Sequence, residues 1–119
     1  MEFETCTIPG SKDYVLEFIE GFCDRTDPTE TTAQKILDKL KYFEQLNRGQ
    51  LMRAQHIKQL IGELYEVRVL IRRNQFRFLG YIEGETFYMV HAIKKKTQTT
   101  PAKAIALAIQ RIKILQHEN

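Results

Sequence analysis

Tryptophan is absent from this 119-residue chain, and cysteine, proline and glycine are scarce, at two, three and six residues. Two cysteines, Cys6 and Cys23, are too few for a disulfide framework or a four-ligand zinc site, so two reduced thiols in the cytoplasm are expected. No uninterrupted apolar run reaches the roughly 18–20 residues of a membrane span, and no membrane-spanning helix is expected. The acidic opening, Glu2 and Glu4, lacks the basic and apolar regions of a secretory signal. A glycine-rich phosphate loop, a nucleophile elbow and zinc-ligand spacing are all missing. No aromatic ladder of the RRM type can be read on any strand-like segment. Chemistry, if there is any, therefore falls to Arg, Lys and His, with no metal and no cofactor implied.

What is present suffices for a core. With 43% hydrophobic and 28% charged residues, the chain reads as one domain over residues 1–119. A chain of this length buries roughly two thirds of its unfolded surface and needs no staple. The net charge of +3 hides an asymmetry. Residues 1–50 carry six Lys and Arg against ten Asp and Glu, a balance of −4, whereas residues 51–119 carry twelve against five, a balance of +7. A basic half points to a polyanionic partner, RNA or DNA first, although basic residues also serve simply to solvate a surface.

The apolar period changes along the chain. Glu2 to Thr7 reads as a first strand, broken by Pro9-Gly10. Ser11 is the expected cap of a helix bearing Tyr14, Val15, Phe18, Ile19 and Phe22 at three-four spacing. After a turn over Asp24 to Pro28, a second helix carries Ala33, Ile36, Leu37, Leu40, Phe43 and Leu46. It is expected to end at Asn47-Arg48-Gly49 with Gly49 as a left-handed cap. Arg53 to Leu60 reads as a basic connector. Beyond Gly62 the period becomes two, and Leu64 to Ile71, Gln75 to Ile82 and Glu85 to Ile93 read as a three-stranded meander with short turns. Thr100 is the expected cap of a last helix with Pro101 in its first turn and Ile105, Ala108, Ile109 and Ile112 buried. The predicted class is α+β: a small antiparallel sheet, made of the N-terminal strand and the meander, flanked by two N-terminal helices and a C-terminal helix. Helices covering one face would leave the other open to a partner.

Alternation then selects candidate residues. Arg68 and Arg77 fall on the more polar face of neighbouring strands. Paired guanidiniums suit a phosphate, each fork donating two hydrogen bonds, but pairing of each with Glu66 or Glu63 is an equally good reading. Lys94-Lys95-Lys96 at a strand end make a positive field for phosphates, or a solvated edge that blocks aggregation. His91 shares its parity with Phe87 and Met89, which suits a packed structural histidine. His56 and His117 are isolated.

The ordered segments Leu64-Tyr65-Glu66-Val67-Arg68, Gln75-Phe76-Arg77-Phe78 and His91-Ala92-Ile93-Lys94-Lys95-Lys96-Thr97-Gln98-Thr99-Thr100-Pro101, with Lys58-Gln59-Leu60 upstream, resemble the HigB-like branch of the RelE toxin superfamily, which includes phage-derived toxin-like proteins. Ala92-Ile93 stand where Gly-Phe is usual, and Thr99 where a lysine is common. The resemblance implies a RelE-like fold and the toxin of a type II toxin–antitoxin system, an mRNA interferase acting on the ribosome. It implies partnership with mRNA on the ribosome and with a helix-turn-helix antitoxin from the neighbouring gene, and no membrane. By position, Arg68, Arg77, Lys95, Lys96 and His91 match the catalytic set, and Lys58, Arg72, Arg73 and Lys94 would support RNA binding. The implied reaction is attack of a ribose 2′-hydroxyl on the adjacent phosphate, with Arg and Lys offsetting the growing charge. A lysine crowded by other cations releases its proton more readily, which makes Lys95 or Lys96 the expected base. Replacing Arg77 by Ala is expected to remove activity and leave the fold. The alternative is a non-catalytic module of the same fold that grips RNA, the ribosome or an antitoxin.

Overall fold

The computed structural model describes residues 1–23, 31–95 and 99–117; the turn expected over Asp24 to Pro28, and Lys96, fall outside them. The chain runs β1 (Glu2–Thr5), α1 (Tyr14–Glu20), α2 (Thr32–Phe43), α3 (Arg48–Arg53), β2 (Ile57–Ile61), β3 (Leu64–Ile71), β4 (Asn74–Glu83), β5 (Thr86–Lys95) and α4 (Ala102–His117). The class is α+β, as the pattern implies. The sheet has five strands in the order β1-β5-β4-β3-β2 and is mixed rather than antiparallel, because β1 lies parallel to β5 with Phe3 opposite Phe87. That pairing joins segments at opposite ends of the chain, beyond the reach of local pattern. β2 is the strand read as a connector. Only Ile57 of it is buried, and its register shifts between Gln59 and Ile61, so no clean alternation marks it.

Helix limits follow side-chain caps. The Asp13 carboxylate, not Ser11, accepts the Leu16 N–H and opens α1, while Ser11 bonds the Tyr14 hydroxyl. Thr31 opens α2 in the same way. The expected stop at Gly49 is a start: the Asn47 side chain accepts from Gln50 N–H and the Gln50 side chain accepts from Asn47 N–H. This reciprocal capping box begins α3 and places Gly49 inside it. Thr100 does not cap α4. Pro101 stands just before its first residue and accepts from Ile105, while the Thr100 hydroxyl turns into the sheet.

Apolar side chains cover both faces of the sheet, not one. On the first, Val15 and Ile19 of α1 and Ile36, Leu40 and Phe43 of α2 pack on Val67, Val69, Phe76, Phe78, Phe87 and Met89. On the second, α4 brings Ala104, Ala108 and Ile112 onto Leu64, Leu79, Tyr81 and Val90. The partner-facing surface expected there is thus partly taken by α4. The same face continues past α4 through Glu66, Arg68, Leu70, Gln75 and Arg77, where Leu70 is 57% exposed.

A bulge decides how β5 sits. Gly80 opposes Met89 and Leu79 opposes His91, so Val90 is the extra residue. The insertion moves His91 off the Phe87–Met89 face and onto the α4 side. Gly80 makes the bulge possible, since a Cβ there would stand 1.8 Å from the Tyr88 carbonyl oxygen. Gly80→Ala must therefore displace backbone, and a loss of about 2–3 kcal/mol is expected by urea denaturation, the upper range for overpacking.

Candidate functional site

The stretch of this face beyond α4 centres on a buried carboxylate. Glu66 and Arg77 are both 0% exposed. Arg77 donates from Nη1 to Glu66 Oε1 at 3.3 Å and to Thr100 Oγ1 at 2.9 Å, and from Nη2 to Gln75 Oε1 at 2.8 Å. The Thr100 hydroxyl in turn donates to Glu66 Oε1. The second carboxylate oxygen, Oε2, accepts from Arg68 Nε at 3.2 Å. β-pairing puts Arg68 directly opposite Arg77, as the alternation implies, and Glu66 offsets their repulsion. One carboxylate between two guanidiniums leaves a surplus positive charge, and Arg68, 25% exposed at its side chain, is the member that carries it to the surface.

Arg68 stands where two clefts meet. One, about 330 Å³, is lined by Lys39, Phe43, Gln55, His56, Arg68 and Gln75 among others. The other, about 320 Å³, is lined by Met52, Gln55, Ile57, Lys58, Gln59 and Arg68. Both open because β2 begins at Ile57, opposite Val67, so the ladder stops just beyond Arg68. The last bond beside it runs from Arg68 N–H to the His56 carbonyl at 2.8 Å. Gln55, at φ +62°, turns the chain from α3 into β2.

The candidate residues thus fall into separate places. Arg68 and Lys58 share the second cleft, and Arg77 lies behind Arg68 as a buried support. Lys95 pairs in register with Gln75, and its ammonium donates to the Thr99 carbonyl. Arg72 and Lys94 line a different cleft of about 190 Å³ with Phe22, Thr32, Ile71 and Phe76, on the α1 and α2 side. Arg73 is exposed in the β3–β4 turn. His91 is held beside α4: the buried Arg111 donates to the Val90 carbonyl and meets His91 Nδ1, both at 3.0 Å, while its guanidinium lies 3.7 Å from the Tyr14 ring centroid. Burial, then Arg111, pushes the His91 pKa down to about 4. Burial, with Asp13 and Glu4, raises the Cys6 thiol to about 11, so it is no thiolate nucleophile.

Sequence reasoning passed over Lys39, Gln55, His56 and Arg111. Lys39 comes from a helix whose polar positions all look alike, and His56 from a segment read as connector. Arg111 had a signal: it follows Ala104 and Ala108 at helical spacing and so falls on the buried stripe of α4.

A five-stranded sheet carrying cationic clefts over a buried ion-pair network defines a small α+β protein with a basic recess. The chain belongs to the family described as Phage derived protein Gp49-like (DUF891), whose model matches residues 27–113, a family associated with RelE-type toxin-like proteins. No curated protein and no solved structure matches the chain. No helix among the described residues is long and apolar enough to cross a membrane.

Two outcomes follow from this geometry. Arg77→Ala removes the buried one of the two cations that compensate the Glu66 carboxylate, and is expected to lower stability by about 3 kcal/mol in chemical denaturation, rather than leave the fold intact. The second concerns acid. With its folded pKa near 4 and an ordinary value of 6.5, His91 stays neutral in the folded protein while the unfolded chain binds a proton. Stability is then unaffected above about pH 6.5 and falls between pH 6.5 and 4, by up to roughly 3 kcal/mol. Denaturation curves across that window should show the loss in the wild-type protein and a smaller one in His91→Gln.

Proposed function

We propose that the protein is the toxin of a toxin–antitoxin pair, of the HigB-like branch, and that it cleaves mRNA on the ribosome. The observation that carries this reading is the surplus positive charge of Arg68, held at the junction of two clefts by the buried Glu66, which is itself paired with Arg77. A guanidinium fixed by a second residue is a preorganised donor, which acts on charge developing at a phosphorane without reorganising at the moment of reaction. Lys58 on the rim and Lys95 at the end of β5 add attraction for the RNA backbone, and the charge of Lys96 contributes in the same sense. The 2′-hydroxyl attacks the adjacent phosphorus, the bond to the 5′-oxygen breaks, and the products are a 2′,3′-cyclic phosphate and a free 5′-hydroxyl. Binding on the ribosome holds the message in line for this step. A helix-turn-helix antitoxin from the neighbouring gene would silence the toxin, and the cytoplasm is where the message and both partners meet.

One observation favours a second reading. Arg77, which the resemblance assigns to catalysis, is wholly buried and contacts Glu66, Thr100 and Gln75. A module that grips RNA, the ribosome or an antitoxin without cutting needs only the exposed cations.

Induction of the gene in a bacterial host, with primer extension mapping message ends, separates the two. The nuclease reading expects growth arrest and new in-frame ends in translated messages. Arg68→Ala is expected to lower cleavage by roughly 10²–10³, the scale for removing one donor to a transition-state oxyanion. Soluble protein that leaves growth and message ends unchanged would overturn the nuclease in favour of the binding module.

A further inference from the structure

The first cleft holds a group that the mechanism above does not use. His56 lies between α3 and β2, with its N–H bonded to the Leu51 carbonyl and its own carbonyl accepting from Arg68. Its ring stacks on Phe43 at 4.5 Å between centroids and 24° between planes. Because Phe43 is a fully buried core residue, the imidazole is pinned on a rigid support, not on a mobile chain. Among the described residues neither ring nitrogen takes part in a hydrogen bond. The cleft beside the ring is lined by two cations from two elements, Lys39 of α2 and Arg68 of β3, and by the amides of Gln55 and Gln75. A cation pair next to an imidazole whose nitrogens are uncommitted is the set of groups that phosphodiester transesterification needs: charge for the phosphate, and an acceptor for the hydroxyl proton.

Resting on the nuclease reading, we infer that this cleft receives the ribose and phosphate of the cleaved nucleotide, and that His56 is the general base. His56 takes the 2′-hydroxyl proton as the O2′–phosphorus bond forms. The bond from phosphorus to the 5′-oxygen breaks, and that oxygen leaves with a proton drawn from water. The imidazolium then returns its proton to solvent, so the enzyme ends unchanged. Arg68 lines the cleft on the phosphate side of this step, and Lys39 adds a second positive charge beside the ring.

The protonation state agrees with the role. Burial first, and the Lys39 ammonium second, lower the His56 pKa below its ordinary 6.5. Arg68 is the other charged group lining the cleft. The ring is therefore neutral at pH 7 and able to accept a proton. The rate should fall as pH drops below about 6.5, as His56 becomes protonated. His91, at about 4, titrates too low to produce a limb between pH 5 and 6.5.

The test uses the full-length protein with ribosomes programmed with a defined mRNA, and measures single-turnover cleavage from about pH 5 to 8. A 2′-O-methyl RNA that cannot react serves to measure binding. Wild-type protein should show an acid limb, and His56→Gln should cleave at least 100-fold more slowly, the lower bound for a positioned base. That variant should bind the 2′-O-methyl RNA within about threefold of wild type and lose the limb. Cleavage by His56→Gln within threefold of wild type, or a limb unchanged in the variant, overturns the assignment. A variant that loses binding and rate together while keeping the limb makes His56 a binding group and also overturns it. If His56→Gln does not fold, the wild-type profile decides: a rate that does not fall at any pH below 6.5 rejects an imidazole base. Absence of any cleavage by the wild-type protein rejects the nuclease reading itself, and this inference with it.

Discussion

A carboxylate taken out of water has to be compensated where it sits, and much of this protein's polar structure is arranged around that requirement at Glu66. Its two oxygens accept from Arg77, Arg68 and the Thr100 hydroxyl, so that three separate stretches of chain, β3, β4 and the segment entering α4, are tied to one point. An ion pair of this kind contributes less to stability than an apolar replacement of similar shape often would, because desolvation offsets the attraction. What it contributes is position. Glu66 pairs with Arg77 in the interior, alongside Thr100 and Gln75, and still holds Arg68 from behind, which leaves one guanidinium fixed and facing outward. The Thr100 contact also accounts for the entry to α4: a hydroxyl occupied by Glu66 and Arg77 is not available to cap a helix, and the turn closes on the Pro101 carbonyl instead.

Around that point the two apolar layers set the limits of the recess. α4 reaches along the second sheet face only as far as Leu64, Leu79 and Tyr81, and the remainder of the face between β3 and β4 is polar apart from Leu70. At the far edge β2 is short, so β3 emerges beyond its partner at Arg68, and the end of α2 and the α3–β2 turn close around it. Phe43 connects the interior to this surface: it is a core residue of the α2 layer, and it carries His56 on its ring. Precision at the recess therefore derives from packing that does no chemistry.

Much of the fold was legible because it rests on local regularities. The meander from Leu64 to Ile93 was written in its alternation, its two short turns and its β-rich composition, and the last helix in its apolar spacing. The Arg68–Arg77 juxtaposition followed from strand parity and the length of one turn. Parity failed at His91, where a single inserted residue at Val90 reversed the side on which the imidazole falls. It failed at β2, where a register shift and a mostly exposed strand left no alternation to read. Two helix ends differ from the pattern because a neighbouring residue takes the role: Asp13 caps α1 in place of Ser11, and the capping pair Asn47 and Gln50 begins α3 where Gly49 suggests a stop.

By itself the sequence determined the α+β class, the basic half of the chain, the order of its strands along the meander and the residues of the resembling motifs. These are properties of composition and of periods of two and three to four residues, which local chain geometry enforces. Only the tertiary structure decided which cations lie together. It sent Arg77 inward and Arg68 outward, separated Lys94 and Arg72 from Lys58, and brought Lys39 and His56 from helix and turn to the side of Arg68. The physical reason is that burial of a charge depends on what covers it. Here Glu66 and Arg77 are held by each other and by Thr100 from the segment entering α4, contacts between residues far apart in sequence that no local period encodes.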